Sequence, residues 1–378
     1  MIYIIIIAYF FLISLHYDFL KGVFAKRLSY VISCIILILL AGLRYRVGGD
    51  TLNYMYGHDI MPDIFSLIED GNNTNREYGW TLVVAISKLF GEEFYYLQFL
   101  VAIIVNISIF RFFYLNTKYY HTAAFVYLVF FYFYLNFEIL RESIPIVIFC
   151  LFGYKYLNER KYLKYYILCG ILMTFHVSAV ILFFIPHLFK LSRVVDGRII
   201  KTTVFLLGIY VLGFFIQPYI TPYLLAFSFS SLMESKIQLY SDYKFTITGI
   251  IFGSLVYIIV PLFIYHSTRN KFVLIYAILG SLVSYFNIFA RFLNYLWPFY
   301  ILTFVILLYG DKPNSVRLVG VRYVIFFLIV LIMNFEKFSI IDKENNIRWY
   351  ARWYPYISIF EEEEDPDREY LWIKQFNR

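Results

Sequence analysis

Apolar residues come in runs of about 16 to 22 between Met1 and Asn334, and a short charged cluster closes each run. Every run is long enough to cross roughly 30 Å of hydrocarbon as a helix. The runs are apolar on all sides and lack the two-residue alternation of barrel strands. The pattern therefore predicts an all-α polytopic integral membrane protein with about 10 to 12 transmembrane helices. The first run, MIYIIIIAYFFLISLHYDFL, has no basic leader and no small-residue cleavage site, and it reads as a retained span. Spans are expected near 122–137, 140–157, 202–218, 246–266, 271–288 and 294–310, with an interfacial helix over 80–90 and a span over 94–113. The run 165–189 is too short for two full spans, so it is either one span or a short hairpin turning near His176, Val177 and Ser178; loop charge favours the hairpin. The chain divides into one transmembrane domain over 1–334, with outer loops at 44–79 and 219–245, and a polar extracytoplasmic tail over 335–378.

Charge assigns the sides. Lys21, Lys26 and Arg27 follow the first run, whereas the 44–79 loop sets Arg44, Arg46 and Arg76 against Asp50, Asp59, Asp63, Glu69, Asp70 and Glu77. The positive-inside rule puts the first hairpin tip in the cytoplasm and the N-terminus and the acidic loop outside. Later basic clusters at Arg111/Lys118, Arg160/Lys161/Lys164, Lys190/Arg193/Arg198/Lys201, Arg269/Lys271 and Lys312/Arg317/Arg322 fall to the cytoplasmic side. The unusual polar positions then collect on the outer side.

Composition agrees with a bilayer. The chain is 61% hydrophobic and 16% charged, with a mean hydropathy of +0.68, against about 25% charged in an average soluble domain. Its net charge of +7 is spread one or two residues per loop, which reports topology and not a nucleic-acid partner. Cys34, Cys150 and Cys169 sit inside apolar runs without paired spacing, so neither a disulfide framework nor a zinc site is indicated. No phosphate-binding loop, dinucleotide glycine pattern, zinc-protease helix or nucleophile elbow is present, and no cofactor is expected. Asp365-Pro366-Asp367 has the spacing of a metal-holding acid pair, but within EEEEDPDREY it reads as a solvated tail, and no metal site is assigned.

The sharpest single residue is Arg141 in LNFEILRESIPIVIF. An arginine in a membrane segment costs several kcal/mol to insert and usually marks function. Pro145, four residues on, withholds a donor from the Arg141 carbonyl and suggests an opened helix start, where an arginine beside free N–H groups suits a phosphate. The structural alternative is an ion pair of Arg141 with Glu138 or Glu142. Arg44 and Arg46 precede Gly48-Gly49, Asp50, Tyr54 and Tyr56, a loop fitted to something anionic and hydroxyl-rich. Arg291 with Asn287, Asn294 and Tyr295 would share one face of a helix. His176 beside Ser178, and Glu77 in REYGW, are candidate acid–base groups. The 219–245 loop, with Tyr240, and the 22% aromatic content offer sugar-stacking faces. Outward arginines at headgroup depth suit a lipid diphosphate; as a leaving group it needs no proton, so one base for an attacking hydroxyl suffices.

The ordered series LRYRVGGDTLNY, REYGW, LNFEILRESIPIVIF, TFHVSAV, FARFLNYLWPF and YPYISIF resembles the EpsG-like family of bacterial exopolysaccharide and O-antigen (Wzy-type) polymerases along most of the chain. The resemblance implies a GT-C-like architecture in the bacterial cytoplasmic membrane. It also implies a metal-independent glycosyltransferase that joins undecaprenyl-diphosphate-linked repeat units of a lipopolysaccharide or exopolysaccharide on the outer face. The expected partners are those repeat units, membrane lipid, a chain-length regulator and a flippase. Carried over by position, Arg141, Arg291, Arg44 and Arg46 bind diphosphate; His176, Asp50 or Glu77 is catalytic; Tyr54, Glu142, Tyr240, Asn294 and Tyr295 contact substrate. Two departures stand at Glu142, where a glutamine or similar is expected, and at Pro145, which is bulkier than the small residue expected. An O-antigen ligase is the enzyme alternative. A flippase would show internal repeats and midplane polar residues, and the sequence shows neither.

Overall fold

The computed structural model describes residues 2–72, 74, 76–226, 246–310, 341–342 and 347–376. It is 78% helical, and the chain is an all-α polytopic membrane protein. Among the described residues, five helices are long and apolar enough to cross a bilayer: Ile2–Phe19, Phe94–Asn116, Val177–Val195, Ile199–Tyr223 and Ile247–Thr268. Tyr120–Tyr132, Tyr162–Met173, Lys271–Gly280 and Trp297–Tyr309 are shorter apolar helices. The apolar run 271–288 is helical only to Gly280, because the backbone then tightens into i+3 bonds, Leu282 N to Leu279 O and Val283 N to Gly280 O. The chain forms two compact units, Met1–Val177 with Leu308–Arg378, and Ser178–Leu307.

The first unit opens with α1 (Ile2–Ser14), prolonged by a π turn over Leu15–Phe19, and returns through α2 (Lys26–Gly42). The 44–79 loop is largely helical: α3 (Thr51–Ile60) and α4 (Ile64–Glu69) lead to α5 (Tyr78–Lys88). Asp63 caps α4 by accepting from Ser66 N at 2.7 Å. Next, α6 (Phe94–Asn116) and α7 (Tyr120–Tyr127) run antiparallel, and α7 continues through π turns to Glu138. The chain breaks at Ile139 (φ −116°, ψ 46°) and restarts as α8 (Leu140–Ile148), α9 (Tyr154–Asn158) and α10 (Tyr162–Met173). The 165–189 run is broken at 174–176, just before the His176–Ser178 position at which the hairpin reading turns.

Polar groups inside this unit close on one another, as a medium without water requires. Asn106 Nδ2 donates to Asn136 Oδ1 (2.9 Å), Asn136 Nδ2 to the Tyr127 hydroxyl (2.8 Å), and that hydroxyl to Asn106 Oδ1 (3.3 Å). Such interhelical bonds contribute about 0.6 kcal/mol each on average. The unit has two polar rims. At one, Asp18 accepts from Thr122 N (2.8 Å) and pairs with Lys26 (3.1 Å), while Tyr119 stacks on Tyr309 (3.7 Å). At the other stand Tyr3, residues 43–58, Glu77, Glu138 and the tail.

In the second unit, Tyr210, Ile258, Leu262, Leu274 and Ala277 form the core. Asn270 caps the Lys271–Gly280 helix through Phe272 N (3.0 Å) and donates to Thr303 Oγ1 (2.6 Å), fixing that helix against the Trp297–Tyr309 helix.

Candidate functional site

The 44–79 loop is bound by residues 351–369. Leu43 O accepts from Ile359 N (2.9 Å), Tyr45 N donates to Ile357 O (2.8 Å) and Gly48 N to Arg352 O (2.8 Å). Gly48 has φ +124°, and a Cβ there would stand 2.7 Å from the Phe137 carbonyl oxygen, so only glycine lets the loop lie this close. Gly49 N and Trp353 Nε1 both donate to Glu138 Oε1, at 2.7 and 2.6 Å. The glycine pair therefore serves approach to the protein's own backbone and carboxylate.

This packing employs the two arginines of the loop. Arg44 is 1% exposed; its Nε donates to Val47 O (2.9 Å), its Nη1 to Ala41 O, and its guanidinium lies 4.5 Å from the Phe137 ring centre. Arg46, in the left-handed region at φ +56°, grips Glu369 in a fork, Nε to Oε1 at 2.8 Å and Nη2 to Oε2 at 2.7 Å, with Glu364 at 3.5 Å. Arg46 holds loop to tail, Arg44 braces the loop on itself and on Phe137, and neither lines the cavity described below. The expected acid pair is also structural: Asp365 Oδ1 accepts from Arg368 N (3.0 Å) and starts the Pro366–Phe376 helix. The Arg46–Glu369 fork is partly buried, and its loss should cost about 1 kcal/mol. Arg46→Ala and Glu369→Gln should lower the unfolding midpoint in detergent equally, and the double variant should add nothing. Additive losses would show that the two side chains act apart.

Three of the predicted residues meet elsewhere on the same rim. Glu77 precedes α5; its Oε2 accepts from Arg141 Nη1 (2.9 Å) and its Oε1 from Val177 N (3.4 Å), with His176 adjoining. Burial raises the Glu77 carboxyl, but Arg141, the backbone N–H groups and His176 outweigh it and hold it below the usual carboxylate range. The N-terminus of α5 is fixed by Gly79 N donating to Thr174 O (2.7 Å), where a Cβ would come within 2.9 Å of the Thr174 carbonyl. Arg141 lies in the first turn of α8, and Pro145 offers no N–H to its carbonyl. Its ion-pair partner is Glu77; Glu138 turns to the tail, and Glu142 is 1% exposed within the first turn of α8.

Beside this cluster lies a cavity of about 270 Å³. Asp50, Asn53, Tyr54, Gly57, His58 and Met61 line it from one side, at i, i+3, i+4, i+7, i+8 and i+11, one continuous face of α3 and its cap. Trp80 and Val84 follow four residues apart along α5, Arg76 stands two residues before that helix, and Arg141 completes the wall. Arg76 and Arg141 are close enough to repel one another. Tyr54 faces Arg141 and sets its ring edge-on to Trp80, 5.8 Å between centres. Sequence reasoning missed Asn53, His58, Arg76 and Trp80 as lining residues. The signal was present in the helical spacing of 50–61, within a segment read as loop.

The remaining predicted residues belong to the second unit or lie outside the described residues. Arg291 is on a short helix, Ile288–Leu293, with Asn287 at its cap. The expected stripe is broken there, since Asn294 begins a turn. Asn294 is buried, and the Tyr295 hydroxyl meets Ser178 Oγ at 3.0 Å. Tyr240 lies outside the described residues.

A family model, the EpsG family, matches residues 27–358. The chain belongs to the EpsG family. EpsG proteins are exopolysaccharide and O-antigen polymerase-like, which gives this member a polymerase-like role in polysaccharide biosynthesis. No curated protein and no solved structure matches the chain. The match runs from the start of α2 to Ser358, which bridges to Arg44, so it takes in every residue that lines the cavity.

Proposed function

We propose that this EpsG-family protein polymerises lipid-diphosphate-linked oligosaccharide repeat units, undecaprenyl diphosphate being the carrier, on the outer face of the bacterial cytoplasmic membrane. The observation that carries the reading is the pairing of Arg141 and Arg76 on one cavity wall at a polar rim of a membrane bundle. A hydroxyl of the incoming repeat attacks the anomeric carbon of the growing chain. The bond from that carbon to the diphosphate breaks, and the diphosphate leaves with the electron pair. Two guanidiniums aimed at that oxygen stabilise the charge that develops. Glu77 orients Arg141 and is itself committed to that pair, and His176 backs Glu77. Arg76 takes the place that sequence reasoning gave to Arg44 and Arg46.

The test is a gel of surface glycan from a deletion strain, with and without the wild-type gene. A single-repeat band in the deletion and a full ladder on complementation are expected. A normal ladder in the deletion sinks the proposal. Polymer stranded on its carrier would instead identify a ligase, and repeats held on the inner leaflet a flippase.

A further inference from the structure

Asn53 lines the cavity in the first turn of α3, and the reading above leaves it without a task. The Pro366–Phe376 helix reaches it from behind: Trp372 Nε1 donates to Asn53 Oδ1 at 3.2 Å. An indole N–H can only donate, so it selects one of the two orientations of the amide, the one with Oδ1 toward the tail. Nδ2, with its two N–H donors, is thereby turned away from Trp372. It has no hydrogen-bond partner among the described residues and is not among the atoms sealed off in the interior. Trp372 is itself held in place. Glu369, one turn earlier on the same helix, carries the Arg46 fork, and Arg368 Nε and Nη2 donate to Ala351 O (3.1 Å) and Pro355 O (2.7 Å). Leu371, next to Trp372, is 2% exposed. The amide cannot turn over without losing a bond that a docked helix imposes on it.

Resting on the polymerase reading, we infer that Asn53 Nδ2 donates to an oxygen of the lipid-linked diphosphate alongside Arg76 and Arg141, and that Trp372 is the positioning residue that sets the amide. The charged groups of the cavity wall are those two guanidiniums and the Asp50 carboxylate. A hydrogen bond to an ionised phosphate is stronger than one between neutral groups, so a neutral amide adds appreciably to binding there. The arginines bring charge on long side chains. A short amide fixed from behind brings direction, and so fixes where the diphosphate sits. The tail helix then belongs to the donor site, although none of its residues lines the cavity.

The test uses purified full-length protein and two probes, undecaprenyl diphosphate and uncharged undecaprenol. Asn53→Asp keeps an acceptor for Trp372 and puts a carboxylate oxygen where the donor was. It should weaken binding of the diphosphate by about 10- to 100-fold, without changing binding of undecaprenol or lowering the unfolding midpoint. Trp372→Phe keeps a ring and releases the amide. It should weaken diphosphate binding by about 2- to 10-fold and add nothing to Asn53→Asp in the double variant. Wild-type diphosphate binding by Asn53→Asp, with Arg141→Ala deficient, overturns the inference and leaves the polymerase reading standing. Equal loss of both probes in Asn53→Asp, or a lowered midpoint, overturns it in favour of a structural role. Additive losses in the double variant overturn the role given to Trp372. If Arg141→Ala binds the diphosphate as well as wild type does, or wild type does not bind it, the diphosphate site and the inference fall together.

Discussion

Arg141→Ala, present in the membrane at the wild-type level, should reduce glycan polymerisation by about 10³-fold, leaving a single-repeat band. The expectation rests on position as well as charge. Arg141 stands in the first turn of α8, beside N–H groups with no intrahelical partner, and its guanidinium is held by a single carboxylate contact to Glu77. One face of the fork is therefore spoken for by Glu77, Tyr54 meets the same arginine, and Arg141 lines the cavity. Arg141→Lys is the sharper comparison, since lysine keeps the charge and loses the planar fork. It should recover only a minor part of the ladder. Full polymer from Arg141→Ala would remove the basis of the proposed mechanism. Glu77→Gln should weaken polymerisation less than Arg141→Ala, because it loosens the arginine without deleting it.

The second large effect concerns stability. Glu138 accepts from Gly49 N and Trp353 Nε1 at once, so Glu138→Ala strands two donors at the joint of loop, helix and tail. The loss should be about 3 kcal/mol, at roughly 1 to 3 kcal/mol per stranded donor. Glu138→Gln keeps an acceptor oxygen and should cost about 1 kcal/mol. The measurements are the unfolding midpoint in a fixed detergent and the rate of trypsin cleavage after Arg368, which is 1% exposed while the tail is docked. Unchanged cleavage in Glu138→Ala would mean that the tail is held by other contacts.

The helical membrane class is legible in the sequence because it depends on local cost. An apolar run needs a bilayer, and an arginine inside one needs a partner. Glu77 and His176 are legible as short motifs, and the structure brings both to Arg141. The partner of Arg46 is not legible, since Glu369 lies 323 positions away, and nothing in LRYRVGGD announces that the loop will be filled by its own chain. His58 and Arg76 were hidden by a different error. A helical face at 50–61 was passed over because its residues are polar, although a polar stripe on a short outer helix is what a lined cavity requires. The breaks at Ile139 and at 174–176 have no clear local cause in composition; the first frees the α8 N-terminus that holds Arg141.

The docking of the tail also constrains how the chain is threaded. Arg44 pairs with Ser358, and Arg46 reaches Glu369, 323 positions later, while the Tyr3 hydroxyl donates to Trp353 O at 2.7 Å. Residues 3, 44 and 353 must then lie in the same compartment, and the polypeptide has to traverse the bilayer an even number of times between each pair. A variant that gained or lost one crossing anywhere between Leu43 and Arg352 would deliver the tail to the wrong compartment. The first loop would then keep its open N–H groups, with no later segment able to reach them. The contacts at Tyr3, Arg44 and Arg46 thus form only in a chain whose residues 353–369 have reached the compartment of the first loop.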